Sequence, residues 1–515
     1  MRHSRAEAAL ALVGLATLSA IATTLVYRQG WTLYFGDAEA HLNIARRVLD
    51  SRTPGYDQIG TVWLPLPHLL TLVLVWNDGL WRSGLAGAIP SSICFILAGL
   101  FLFALVRRTA ESSSGAWTAL AVFALNPNLL YLQSTPMTEA VALAAWMAVL
   151  YCTIRFRESQ SWWWVIIAAV ASVAASLSRY EGWFLIPFVT AHLVFKARTH
   201  RFGKALLFAS LASLGPLYWL AHNWWLYSNA FEFYNGPYSA KGIYAAGLRV
   251  NGQRYFGDHD WYKASLVFCA AARLCSGWGL AVSSAAGFFC GLWKRALWPI
   301  VFAALPPLFY VWSIHSGGTP IVVPALGLNG FYNSRYGLAA LPLLAICAGF
   351  LAAAGGRRGG RWAAAVVVVV GLMPWLAEPK PDAWITWQES RRNSEARRAW
   401  TTASAAVMSA EYHRGEGILT NFGDLAGIFR ESGISLRETL HEGNSVEWNA
   451  AVLSPEMFLH EAWVVGFEPS DVVRAARSAT VRGFPRYHLV HRIAVTGAPA
   501  VEIYRRYEFY ELPRP

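Results

Sequence analysis

YFGDAEAHLN, residues 34–43, sets Asp37, Glu39 and His41 directly after the first long apolar run of the chain. A carboxylate pair beside hydrocarbon is costly unless it is solvated, paired or used. The stretch is therefore the first candidate for function, and its surroundings decide the fold. Apolar residues make up 55% of the 515, charged residues only 14%, and 25 residues are Trp, which is too oily for a soluble globule of this length. Most of the chain belongs in a bilayer.

Runs long enough to span, at about 20 residues each, fall near 7–27, 84–106, 115–133, 137–154, 162–178, 183–195, 205–225, 276–293, 296–314, 336–354 and 361–377. They predict an α-helical polytopic protein of about eleven transmembrane helices. Pro65 and Pro67 interrupt the further apolar stretch 62–76, which reads as a re-entrant or interfacial element. The N-terminal run lacks a small-residue cleavage site and reads as a retained helix.

The net charge of +12 comes in short clusters between the apolar runs, not along one stripe, so it reports topology and not nucleic acid. Arg2 and Arg5, Arg107 and Arg108, Arg155 and Arg157, the 196–204 loop, Lys294 and Arg295, and the 357–361 loop alternate with poorly charged loops. By the positive-inside rule they are cytoplasmic, which puts the N-terminus inside and the opposite loops outside. Six scattered cysteines show no metal or disulfide spacing. SWWW and HNWW read as interfacial aromatic belts.

The expected domains are a membrane domain over 1–377 and a small soluble α/β domain over 378–515, where short β-like runs alternate with helical ones outside the membrane. Gly423 and Gly427 are too loosely placed for a nucleotide fingerprint.

Once this topology is drawn, ionisable groups from five segments meet on the outer face. They are Asp37, Glu39 and His41 in the first outer loop, Glu139 after STPMTE, Arg179, Tyr180 and Glu181 in an outer turn, His222 at a helix end, and Arg335 with Tyr336 at a helix start. Such convergence is what an active site at a membrane surface requires. Each also has a plain structural reading: Asp37, Glu39 and Glu139 as helix caps or solvated acids, Arg179 with Glu181 as an ion pair, His222 and Arg335 as interfacial side chains. A divalent metal is an open expectation. The best candidate is the Asp258, His259, Asp260 cluster, although it lacks a ligand spacing.

FGDAEAHLNIARRVLDSRTPGYDQIGTVWLPLPHLL resembles the first outer loop of GT-C superfamily membrane glycosyltransferases, in particular the protein O-mannosyltransferase and aminoarabinose-transferase branch called family 39. NPNLLYLQSTPMTEA, SRYEGWFLIP and NSRYGLAALPLL resemble later segments of the same enzymes, so the likeness runs over about 25–350. Two departures stand out: the loop acids are Asp-Ala-Glu and not adjacent, and WLPLPH replaces a Lys-Pro-Pro often found downstream.

The resemblance implies transfer of a sugar from a polyprenyl-phosphate donor to a lipid, glycan or protein acceptor at the outer face of a membrane, with no certain cofactor. Asp37 matches the loop acid that would act as base, with Glu39 orienting the acceptor or sharing the proton. Arg335, with Arg179 or His222, would hold the donor phosphate, supported by His41, Glu139, Tyr180, Glu181 and Tyr336. A bacterial inner membrane is the expected location. The alternatives are a transporter or lipid-handling protein, and a scaffold that keeps the fold without the chemistry. Transporters place paired charges on broken helices near the midplane, often within inverted repeats, and neither is visible in this sequence.

Overall fold

The computed structural model describes residues 2–293, 296–482 and 486–507. Lys294 and Arg295, used above for topology, lie outside them. The chain forms two compact units: Met1–Trp31, Thr61–Pro67 and Ala88–Glu389 make the first, and Thr32–Gly60, His68–Gly87 and Ser390–Pro515 the second.

The first unit is helical. Among the described residues seven helices are long and apolar enough to cross a membrane, and Trp261–Ser276 with Trp278–Trp293, bent by 108°, makes an eighth if the pair counts as one span. The bend falls at Gly277, whose φ of +82° suits a residue without Cβ. Each of the eleven apolar runs is helical over most of its length, but several are too short to cross alone. Run 115–133 divides into Ser113–Ala124 and Pro127–Gln133, because Pro127 cannot continue a helix and Asn126 caps the next one through Leu129 N. The 162–178 and 183–195 runs give helices Trp162–Ser176 and Glu181–Lys196 of 15 and 16 residues. The proline-interrupted stretch 62–76 yields only the ten-residue helix Leu66–Val75, too short to span at about 1.5 Å per residue. The amphipathic helix Trp261–Ser276 was not expected.

Small residues let these helices touch, as association within lipid requires. A Cβ on Gly287 would sit 1.9 Å from the carbonyl oxygen of Cys347. Trp163, Trp224 and Trp225 are exposed at helix ends, where aromatic belts form.

The second unit is built on a five-stranded sheet: β1 (Ile418–Thr420), β2 (Thr439–Leu440), β3 (Trp463–Phe467), β4 (Tyr487–Ile493) and β5 (Val501–Arg506), in the order β2-β1-β3-β5-β4. β1 is parallel to β2 and β3, while β5 is antiparallel to β3 and β4. The period-two alternation of strands sends Ile418, Trp463 and Val465 to one face and Leu419 and Val464 to the other.

The first face packs on Leu42, Ala45 and Trp81 as well as Trp400 and Phe429. The segment Thr32–Gly60 is therefore part of the second unit's core. Where the expectation divided the chain into 1–377 and 378–515, the second compact unit consists of Thr32–Gly60, His68–Gly87 and Ser390–Pro515. Hydrophobic runs alone could not reveal it, since the apolar residues of the Gly36–Arg47 helix are few and its neighbours are some 350 residues away in sequence.

Candidate active site

In the second unit, Asp37 and Glu39 lie in the first turn of the Gly36–Arg47 helix, where carboxylates complement the helix dipole; the N-cap is Phe35. Two residues of α-helix turn the side chain by about 200°, so the two acids point to opposite sides and do not form a carboxylate pair. Glu39 is only 3% exposed. Its Oε1 accepts from Arg430 Nε at 2.6 Å and Asn43 Nδ2 at 3.1 Å, and its Oε2 from Arg430 Nη2 at 3.2 Å, with Arg397 Nη1 3.7 Å away. Burial pushes its pKa up, but Arg430, then Arg397 and Asn43, outweigh it and hold Glu39 below the usual carboxylate value.

Glu39 thus joins the loop helix to the helix Ala426–Ser432 and the helix Ile385–Glu411. The expected proton-sharing role gives way to a structural ion pair. Asp37 stays half-buried. His41 is buried, with Nδ1 2.9 Å from Nε2 of His68.

In the first unit, the other expected residues gather. Glu139 begins the helix Glu139–Ser159, Arg179 closes the turn before Glu181–Lys196, and Arg335 lies in the 3-10 segment Ser334–Ala340. Glu139 Oε1 accepts from both arginines, from Arg179 Nη1 at 3.3 Å and Arg335 Nε at 3.2 Å. Arg179 also donates to Glu181 at 2.7 Å, to Thr138 at 2.8 Å and to the hydroxyl of Tyr310. Burial alone would lower the Arg179 pKa, but Glu181, Tyr310 and Glu139 raise it well above its ordinary value. Both guanidiniums stack on Tyr336, 4.7 Å and 4.8 Å from its ring centre, and Tyr310 stacks on the same ring at 5.0 Å.

Two members escaped the sequence reading. Glu389 accepts from Arg335 Nη1 at 3.2 Å and from the backbone N–H groups of Asn333 and Ser334 at 2.9 and 2.8 Å, and also from the Ser334 hydroxyl. It fixes the start of the 3-10 segment and with it Arg335. Burial pushes the Glu389 pKa up against the opposing pull of Arg335 and those hydrogen bonds. Gly337 packs the middle of the segment, because a Cβ there would lie 2.4 Å from the backbone of Ala271. Tyr310 is the second member. An acid in a polar helix and a Tyr in an oily one carry no local signal.

Tyr180 and His222 sit in a neighbouring aromatic group. The Tyr180 hydroxyl donates to Val62 O at 2.8 Å and accepts from Trp219 Nε1 at 3.2 Å, while His222 stacks on Trp219 at 4.5 Å. In FGDHDW, Asp258 accepts from Tyr244 at 2.8 Å and Asp260 caps the following helix at Lys263 N. Among the described residues no three His, Cys, Asp or Glu side chains gather to hold a metal ion.

Beside the arginines, Glu139, Trp146, Tyr310, Tyr336, Leu143 and Pro342 line a largely apolar cleft. A charged cluster against an apolar cleft suits a ligand with a polar head and a hydrocarbon body.

The chain thus combines a helical unit that carries this cluster with a small α/β unit. Residues 80–225 match the family model described as dolichyl-phosphate-mannose-protein mannosyltransferase. The fold is shared with ArnT from Cupriavidus metallidurans in the apo state, at TM-score 0.52 and 12% identity over 95% of this chain and 98% of that one. ArnT bound to undecaprenyl phosphate aligns at TM-score 0.50 and 14% identity, over 94% and 97%. The archaeal oligosaccharyltransferase AglB from Archaeoglobus fulgidus, in complex with an inhibitory peptide and a dolichol-phosphate, aligns at 0.51 and 12%, over 98% and 75%. No curated protein matches the chain in sequence.

Proposed function

We propose that this integral membrane protein transfers a hexosyl or pentosyl group from a polyprenyl-phosphate carrier to a lipid, glycan or protein acceptor, at the outer face of a bacterial inner membrane. The observation that carries the reading is the pair of arginines, Arg179 and Arg335, fixed beside an apolar cleft. The family model over 80–225 and the shared fold agree with it.

The reaction needs a base for the acceptor hydroxyl and cations for the phosphate that leaves as the glycosidic bond breaks. Asp37 is the proposed base. Arg335 and Arg179 are the proposed phosphate holders, pre-aimed by Glu389, Glu139 and Glu181 so that little ordering remains when the donor arrives. A planar fork suits a phosphate better than a point charge.

The test is direct. Purified protein incubated with a panel of polyprenyl-phosphate hexoses and pentoses, together with membrane-extracted acceptors, should release polyprenyl phosphate from at least one donor. No turnover of any donor would overturn the reading.

A further inference from the structure

The helix Glu139–Ser159 presents Glu139, Leu143 and Trp146 to the cleft, positions that share one helical face. Two polar atoms on that face lack partners. Oε2 of Glu139 is buried and accepts no hydrogen bond, although Oε1 of the same carboxylate serves both arginines. Nε1 of Trp146 is buried and donates none. Orphaned buried polar atoms are rare and costly. Two such atoms on one helix face, both in residues that line one cleft, call for a common explanation. Here one is an acceptor and the other a donor, and their Cα atoms lie about 10 Å apart along the helix.

We infer that this face is a sugar-recognition subsite: a hydroxyl of the lipid-linked glycosyl group donates to Glu139 Oε2, and an oxygen of the same ligand accepts from Trp146 Nε1. The inference rests on the proposed function and adds which part of the donor the cleft reads. The two free atoms require a ligand that offers both a donor and an acceptor. A bare hydrocarbon tail offers neither, and a phosphate dianion offers only acceptors and would be repelled by the carboxylate. A polyhydroxylated ring meets both demands, and Tyr310 and Tyr336 add aromatic walls. Sites that pair with a substrate hydroxyl discriminate strongly against analogues lacking it, because the protein group is then left unpaired.

Two substitutions isolate the two atoms. In Glu139→Gln the amide oxygen keeps the arginines and the amide nitrogen takes the place of Oε2, so an acceptor becomes a donor. Trp146→Phe removes only the indole N–H. Binding of polyprenyl-phosphate hexoses and pentoses to the full-length protein in detergent is compared with binding of polyprenyl phosphate alone, alongside melting temperatures.

The expected result is sugar-donor affinity about tenfold weaker in Trp146→Phe, with bare polyprenyl phosphate bound as before, and 10- to 100-fold weaker in Glu139→Gln, where any loss for bare polyprenyl phosphate, through the aim of Arg179 and Arg335, is smaller than the loss for the sugar donor. Melting of Trp146→Phe should be unchanged or higher, since an unpaired buried donor is gone. Equal weakening of both ligands in Trp146→Phe would overturn the inference, as would sugar-donor binding that neither substitution affects. Turnover of a donor by the wild type in either case leaves the transferase reading intact. Absence of any turnover overturns the reading itself.

Discussion

Glu39 and Glu139 are both buried glutamates at helix starts, each shared between two arginines, yet their surroundings differ. Glu39, in the second unit, uses both oxygens: Arg430 takes them as a fork, and Asn43 and Arg397 complete the set. Glu139, in the first unit, gives one oxygen to Arg179 and Arg335 and leaves the other without a partner beside a cleft. A fully satisfied buried charge fixes architecture. A half-satisfied one leaves free energy available to a ligand.

The largest expected effect lies next to Glu39, at the acid that the ion pair leaves out. If Asp37 is the base, Asp37→Asn removes the proton acceptor while keeping size and polarity. Transfer should then fall by about 10²–10⁴-fold, with melting temperature and donor binding retained. Full activity in a folded Asp37→Asn protein would return Asp37 to a role at the helix dipole, where the loss of one charge costs under about 1 kcal/mol.

Glu39 should behave in the opposite way. Glu39→Ala leaves Arg430 and Arg397 buried without their acid, which costs about 3–5 kcal/mol of stability, and activity should fall only as far as folding does. The double variant Glu39→Met with Arg430→Met replaces the pair with apolar bulk and should recover most of the melting temperature. If Glu39→Ala melted like the wild type but lost transfer, the acid would be catalytic and the contrast drawn here would fail.

How much of this was readable beforehand follows the same division. The membrane fold was legible because long apolar runs and alternating basic clusters are local signals, and the convergence of Glu139, Arg179, Glu181, Arg335 and Tyr336 followed from topology. The separation of Asp37 from Glu39 follows from their two-residue spacing once both lie inside one helix, which starts at Gly36. Arg430, Arg397 and Glu389 were not legible. Each lies between 54 and 391 residues from its partner, and only the tertiary fold brings them together. The second unit's use of Thr32–Gly60 as core was hidden for the same reason.

A smaller effect is expected at Arg335. Its guanidinium reaches Glu139 and Glu389 at once and stacks on Tyr336. Lysine keeps the charge but cannot fork or stack in this way. Arg335→Lys should weaken polyprenyl-phosphate binding by about tenfold, read by titration of the purified protein, with stability close to that of the wild type. Unchanged binding in both Arg335→Ala and Arg179→Ala would shift the phosphate contact to another cation, such as His222.

The smallest effect is a difference of sign with pH. Glu39 has a folded pKa below its ordinary 4.5, so its stabilisation is present above that value and is lost as pH falls through the folded pKa. Glu389 has a folded pKa above 4.5, because burial outweighs Arg335. Its contribution is therefore fully present below 4.5 and is lost as pH rises through the folded pKa. Melting temperatures of wild type, Glu39→Gln and Glu389→Gln, compared on both sides of the ordinary carboxylate value of about 4.3, separate the two. The gap between wild type and Glu39→Gln should narrow toward acid. The gap between wild type and Glu389→Gln should shift against the wild type as pH rises. Both gaps moving in the same direction would mean that the two buried acids are held alike, one by its arginines and the other in spite of its burial, and the distinction between a satisfied ion pair and a ligand-ready cluster would lose its electrostatic basis.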